Sequence, residues 1–255
     1  MAVSVPAPTL RRVFWRGLLL QAAWNRRGMQ NLGFAYAIEP ALRVLYPDPA
    51  LRREALRRHL ATFNCHPYMA AAIVGGAIHH EEKVAAGEEP AGAPLKYKEV
   101  LQGPLAAVGD GFFWAGLRPF FGALGAVGTL LFGWPALLAA VVAYNAIQLW
   151  LRWTFFSAGY RSGDAVVERI SALSLPRWAG RLRDAGAALA FAGAALLALA
   201  ARASDGWGAL AVSLLSFGGG WWALSRGARL MPCAYGAMLF GALAGTVLAR
   251  LGGGP

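Results

Sequence analysis

The sequence has few charges and few cysteines. Only 15% of its 255 residues are charged and 57% are hydrophobic, against about 25% charged and about 45 to 50% apolar in an ordinary soluble domain. Mean hydropathy is +0.45. A water-soluble globular domain is thereby excluded, and an integral membrane protein is expected. Two cysteines, Cys65 and Cys233, are too few and too far apart for a disulfide framework or a thiolate metal site. No serine sits in a nucleophile elbow, no Walker motif occurs and no paired carboxylates form a recognisable site, so no catalytic residue and no cofactor is expected. Met1 to Leu20 contains only one short apolar run, Gly17 to Leu20, with arginines before it, which is not the core of a secretory signal. Insertion therefore relies on internal segments.

Acidic residues are scarce as well. The 13 Asp and Glu face 24 Lys and Arg, for a formal net charge of +11. The aromatic residues lie within apolar runs, whereas a nucleic-acid groove needs exposed aromatic and cationic faces, so the basic excess is assigned to anionic cytoplasmic lipid. Between Arg118 and Arg152 there is no charge at all. That stretch of about thirty residues would make a helix far longer than one bilayer core of ~30 Å. Gly133-Trp134-Pro135 near its middle predicts a corner joining two spanning or re-entrant segments, with both charged ends on one side.

Residues Thr9 to Tyr46 interleave Arg11, Arg12, Arg16, Arg26 and Arg27 with Phe14, Trp15 and Trp24, as in an interfacial amphipathic helix or one packed on its own protein. Asp48-Pro49 predicts an N-cap followed by proline in the first turn, opening a charged helix from Ala50 to Leu60. Tyr68 to Ile78 is apolar but too short to cross, so it is expected re-entrant or buried. His79-His80-Glu81-Glu82 lacks the His-x-x-x-His spacing of a zinc helix and reads as a solvated helix end. His59, His66, His79 and His80 read as structural. Gly87 to Pro94 reads as a polar loop in water. Arg152 to Asp184 is basic and assigned to the cytoplasm, after which Ala185–Ala201, Gly206–Ser225 and Leu230–Ala249 each have the length of a span, the first leaving, the second returning and the third leaving again. Gly122, Gly125 and Gly128, like Gly241 and Gly245, put small residues on one helix face for close packing in lipid.

The expected fold is an all-α integral membrane protein with amphipathic N-terminal helices, re-entrant or broken helices and several transmembrane helices. Its regions are a basic interfacial part at 1–60, a core at 61–163, a cytoplasmic linker at 164–184 and C-terminal spans at 185–255. Asp110 is one carboxylate in the apolar, glycine-rich run Gly103 to Trp114, and an intramembrane charge costs roughly 2.5 to 3.5 kcal/mol unless it is paired or wetted. Gly103-Pro104 and Gly109 predict broken backbone there, of the kind that lines substrate cavities in transporters. A sugar suits this inventory. Asp110 would accept two hydroxyls, Gln102 and Asn64 would donate and accept, and Trp114 would stack on a pyranose. The competing role for Asp110 is to cap the helix that follows or to pair with Arg118.

Met29-Gln30-Asn31-Leu32-Gly33-Phe34, Pro40 to Tyr46, and His59-Leu60-x-x-Phe63-Asn64-Cys65-His66-Pro67 resemble the IID membrane component of the mannose/fructose/sorbose-type phosphotransferase system. So do Gly103 to Asp110, Phe113-Trp114, Leu117-Arg118-Pro119, Asn145, Arg152 and Gly159-Tyr160, all in one order over about Gln21 to Gly163. The resemblance implies a multi-pass bacterial inner-membrane permease subunit, cytoplasmic at its N-terminus. It further implies a IIC partner, assembly as a trimer of IIC–IID pairs, and a hexose such as mannose phosphorylated through IIA and IIB carriers. Asn31 joins Asp110, Gln102 and Asn64 as a candidate to line or support the hexose site. Arg52, Arg53, Arg57 and Arg58 are candidates to dock IIB. Beyond Asp164 the likeness fades, which leaves a second possibility, a diverged regulatory membrane subunit that carries no sugar.

Overall fold

The computed structural model describes residues 4–226. Within them the chain forms nine α-helices, one π-helical segment and a short 3-10 turn at Gly163–Ala165, with isolated β-bridges at Met29 but no named strand. The predicted span Leu230–Ala249, Arg229, Cys233 and the Gly241/Gly245 pair lie outside the described residues.

The N-terminal helix α1 (Ala7–Gly17) buries Val13 and Phe14 and leaves Trp15 exposed. It lies across α2 (Asn31–Leu45), with Arg16 joined to Glu39 at 2.9 Å. Of the two roles expected for this amphipathic segment, packing on its own protein is visible here. Asp48 does cap α3 (Pro49–His59), accepting from the Ala50 amide at 2.8 Å. The apolar run after Pro67 enters α4 (Ala70–Ala85) and is buried through Ile78 except for the half-buried Tyr68 and Ala71.

Two glycines in α4 explain how it is held. A glycine inside a helix costs roughly 0.5 to 1 kcal/mol relative to alanine, so each needs a compensating contact. A Cβ on Gly75 would overlap the Phe156 carbonyl, and one on Gly159 would overlap the Ala72 carbonyl. The backbones of α4 and α7 (Trp134–Ser162) therefore touch through reciprocal glycines, as membrane helices do where small residues meet. Gly76 receives the Tyr97 ring of α5 (Ala93–Gly109).

The charge-free run is a hairpin, as its corner predicts. Helix α6 (Arg118–Phe132) stops at Gly133, whose φ of +76° is left-handed, and α7 restarts with proline in its first turn. Gly125 and Gly128 approach Leu137, Ala140 and Ala136 of α7, whereas Gly122 faces open space. Two stretches, Ala93–Phe132 and Trp134–Leu197, are long and apolar enough to cross a membrane. The second is not one rod: it turns at Gly163 and Ser174, through α8 (Val166–Ala172), into α9 (Leu175–Ser225).

Three expectations need correction. The backbone at Gly103-Pro104 is not broken: α5 runs through Pro104 because Tyr97, Lys98, Leu101, Leu105 and Gly109 on its other face are buried. The irregularity falls later, as a π-helix at Asp110–Leu117. Ala185–Ala201 and Gly206–Ser225 do not leave and return, since both belong to the single 51-residue helix α9. The His79–Glu82 run is no solvated helix end, because Glu81 is 0% exposed and His80 is buried too. The 87–94 loop is mostly exposed, as expected, but beyond it Lys98 is only 1% exposed, with its ammonium 3.2 Å from the His59 carbonyl and 4.2 Å from the Phe34 ring centre.

Candidate functional site

The loop between α3 and α4 carries the polar residues, and neighbouring elements fix it in place. Gln30 clamps Cys65 from both sides, donating Nε2 to its carbonyl at 2.9 Å and accepting its amide on Oε1 at 3.0 Å. Gln30's own amide bonds the Phe63 carbonyl at 2.8 Å, and the Phe63 amide bonds the Gly28 carbonyl at 3.2 Å. Residue Met29 turns the chain there in a left-handed conformation, φ +57°. Gln102 of α5 completes the frame by accepting the Asn64 amide at 3.0 Å. Burial pushes the Cys65 thiol up to about 12, so it stays protonated and unreactive. Replacing Gln30 with alanine is expected to cost about 2 to 3 kcal/mol, because two buried backbone groups lose partners; an apparent melting temperature in detergent measures it.

Gly109 then brings this loop against the π-helix. A Cβ there would come within 2.5 Å of the His66 ring and 2.7 Å of Met69. One residue on, Asp110 is exposed and, among the described residues, has neither a hydrogen bond nor an ion pair. Neither alternative role for it is present, since it caps nothing and Arg118 instead lies 5.2 Å over the Trp114 ring. Trp114, 37% exposed, also meets His66 at 4.8 Å and Tyr68 at 5.7 Å. Burial first, and then the charge of Arg152, lowers the His66 pKa to about 4, keeping the ring neutral.

The sequence-derived residues therefore divide. Asn64 and Gln102 meet directly, Trp114 reaches the same loop through His66, and Asp110 follows Gly109, which abuts His66. Gln102 spends its oxygen on the loop and keeps its NH2, while the Asn64 side chain makes no hydrogen bond among the described residues. Asn31 is engaged elsewhere: it donates to the Leu60 carbonyl at 2.7 Å and accepts from Asn25 and from the Leu32 amide. It holds the loop from behind. Of the four arginines, Arg53 and Arg57 are exposed and Arg52 is half-buried, but Arg58 is taken up by Glu81 in a two-pronged ion pair.

Residue types alone did not single out His66, Tyr68, Tyr144, Gln148 or Arg152. They line up beside the site: the Tyr68 and Tyr144 hydroxyls are 3.1 Å apart and the Arg152 guanidinium lies 4.0 Å over the Tyr68 ring. Arg152 is buried at 8% exposure, and its Nε has no acceptor among the described residues. The available signal was spacing, because 144, 148 and 152 recur every four residues on one face of α7.

This arrangement can be compared with known proteins. Residues 5–179 match the family model described as the PTS system mannose/fructose/sorbose family IID component. The chain belongs to that family. The mannose-specific EIID component of Escherichia coli (strain K12) is 40% identical over 169 residues, covering 62% of this chain and 57% of that protein. The fructose permease IID component of Bacillus subtilis (strain 168) is 34% identical over 160 residues, 62% of this chain and 58% of that one. This IID chain thus aligns with rather less than two thirds of the length of these relatives. Among solved structures, it is similar to a chain in the cryoEM structure of the mannose transporter ManYZ and microcin E492 complex. That match has 28% identity and a TM-score of 0.61, over 96% of this chain and 97% of that one. A structure described only as a membrane protein gives a TM-score of 0.71 at 28% identity, over 96% and 98%. The family match ends at Ala179, inside α9, so every residue of the candidate site lies within it.

Proposed function

We propose that this IID chain is one half of a hexose permease, pairing in the bacterial inner membrane with a IIC subunit and passing a sugar such as mannose to a IIB phosphocarrier. The observation that carries the reading is the unpaired Asp110 carboxylate on the π-helix that abuts His66, four residues before the partly exposed Trp114 ring, with the uncommitted side-chain NH2 groups of Asn64 and Gln102 on the adjoining loop and α5. Carboxylate and amides suit sugar hydroxyls, and an indole face suits the apolar side of a pyranose. Gln30 and Gln102 already fix the loop by hydrogen bonds, so little ordering is required on binding. The chain's role is translocation, with the phosphate carried by other components. Three IIC–IID pairs form the assembly, and the N-terminus lies with the basic segment after Arg152 on the cytoplasmic side. Arg53 and Arg57, with Arg52, form the docking surface for IIB, and Arg58 is left out because Glu81 holds it.

Sugar uptake by Asp110→Asn, at membrane levels matched to the unmutated chain, tests the site. A charged hydrogen bond is worth ≈ 1.5 to 3 kcal/mol, so uptake efficiency should fall roughly 10- to 150-fold. Unchanged uptake would remove Asp110 from the sugar path.

A further inference from the structure

On the far side of α7 from the candidate sugar site's loop, a cleft of about 410 Å³ opens between α7 and α8. Arg161 comes to it from α7 and Arg169 from α8, and Ser157 adds a hydroxyl; Trp153, Ile170 and Leu173 form its apolar part. No carboxylate is among the residues that line it. Both arginines are exposed, and neither makes a hydrogen bond, ion pair or ring contact among the described residues. Most other cations near the core are committed: Arg16 to Glu39, Arg58 to Glu81 and Lys83 to Glu89.

The position of the cleft matters as much as its lining. The charge-free run of the hairpin ends at Arg152, and Trp153 is the next residue, at 41% exposure. An amphipathic ring at that point marks the boundary between hydrocarbon and headgroups. Arg161 lies eight residues further, about 12 Å along the helix, on the polar side. The cleft thus combines an apolar wall, which begins at Trp153, with two arginines, Arg161 lying towards the polar side. Basic pockets between membrane helices on the cytoplasmic side recruit anionic headgroups in this way.

We infer that the cleft between α7 and α8 is a binding site for an anionic phospholipid, its phosphate between Arg161 and Arg169 and an acyl chain along Trp153, Ile170 and Leu173. A free phosphate ion would use the arginines but not the apolar half. An acidic peptide would leave that half facing lipid. The site is separate from Asp110 and Trp114, and stands whether or not the chain carries a sugar.

The test titrates the detergent-purified full chain with phosphatidylglycerol and with phosphatidylcholine of the same acyl chains, reading bound lipid by native mass spectrometry. The unmutated chain should prefer phosphatidylglycerol. The double variant Arg161→Gln/Arg169→Gln should lose about 30-fold of that preference, the product of two arginines near an anionic headgroup. Arg26→Gln/Arg27→Gln removes the same net charge at an exposed loop and should retain the preference. An equal loss in the two double variants would overturn the site, leaving only bulk charge attraction. Displacement of the lipid by excess inorganic phosphate would also overturn it, assigning the arginines to a free anion, and equally tight binding of an acidic peptide would assign them to a protein partner.

Discussion

Replacing Glu81 with alanine should lower the stability of the chain by about 3 to 5 kcal/mol, the cost of leaving a buried cation without its partner. Glu81 is completely buried, and each carboxylate oxygen takes two bonds. Oε1 accepts from Arg58 Nε at 2.9 Å and from His59 Nε2 at 2.8 Å, and Oε2 accepts from Arg58 Nη2 at 2.8 Å and from the Tyr46 hydroxyl at 2.6 Å. One carboxylate therefore fastens the C-terminal end of α4 to the end of α3 and to the residue after α2. Its loss strands Arg58, whose guanidinium is mostly buried, and frees the helix ends that carry the polar loop. The apparent melting temperature in detergent measures the effect, and Glu81→Gln separates charge from shape. A shift of only a degree or two in the alanine variant would show that water replaces the carboxylate.

The same group sets an acid limit. Burial alone would raise the Glu81 pKa, but the hydrogen bonds from Arg58 and His59 outweigh it and hold it down to about 2, against 4.5 in the unfolded chain. The stabilisation is therefore complete above the unfolded value and is lost as pH falls from about 5 towards 2, roughly 3 kcal/mol in all. His59 acts in the same direction. Burial lowers its pKa despite the neighbouring carboxylate, so below about pH 6.5 the unfolded chain takes up a proton that the folded chain refuses. As a neutral ring it donates Nε2–H to Glu81, and its Nδ1, without a partner among the described residues, is then only an acceptor. Unfolding followed from pH 7 to pH 3 should show stability falling throughout, and the Glu81→Gln variant should lose most of the steep part below pH 5.

Gly159→Val should prevent correct packing of α4 on α7. The new Cβ would overlap the Ala72 carbonyl and crowd the Gly76 amide, which are backbone atoms that no rotamer change can move. Overpacking a core by a methylene or two usually costs 1 to 3 kcal/mol, and here the obstacle is main chain, so a larger penalty is expected. The measurable outcome is loss of monodisperse protein after membrane extraction. Gly122→Val supplies the control, since a Cβ at that position meets nothing within 4 Å. If both variants purify alike, the reciprocal glycine contact is not what joins these helices.

Those glycines also show how far the sequence could be read. The small-residue row Gly122, Gly125, Gly128 was conspicuous by spacing, yet only two of the three approach a neighbour. Gly75 and Gly159, which matter more, sit in unremarkable surroundings, and their value arises only when two helices distant in sequence are laid together. Asp48-Pro49 and Gly133-Trp134-Pro135 were legible because caps and corners are local: they depend on proline's fixed φ, glycine's freedom and one short side-chain bond. Pro104 misled for the opposite reason. Its local penalty is real, but the buried face of α5 outweighs it, and the irregularity moves to the π-helix where Asp110 sits.

By itself, then, the sequence determined the helical membrane class, the hairpin and its corner, and the family, because composition, long apolar runs and ordered motifs need no knowledge of which helices meet. It also picked out Asp110, Gln102, Asn64 and Trp114 as residue types suited to a sugar. Only the tertiary structure decided that Gln102 and Trp114 both meet the loop that carries Asn64, next to the π-helix of Asp110, while Asn31 serves the frame behind that loop. It also decided that Glu81 and Lys98 lie in the interior and that Arg58 is unavailable to a partner. A charge in sequence looks solvated until the chain brings its counter-charge to it, and that meeting is made by packing between helices many residues apart.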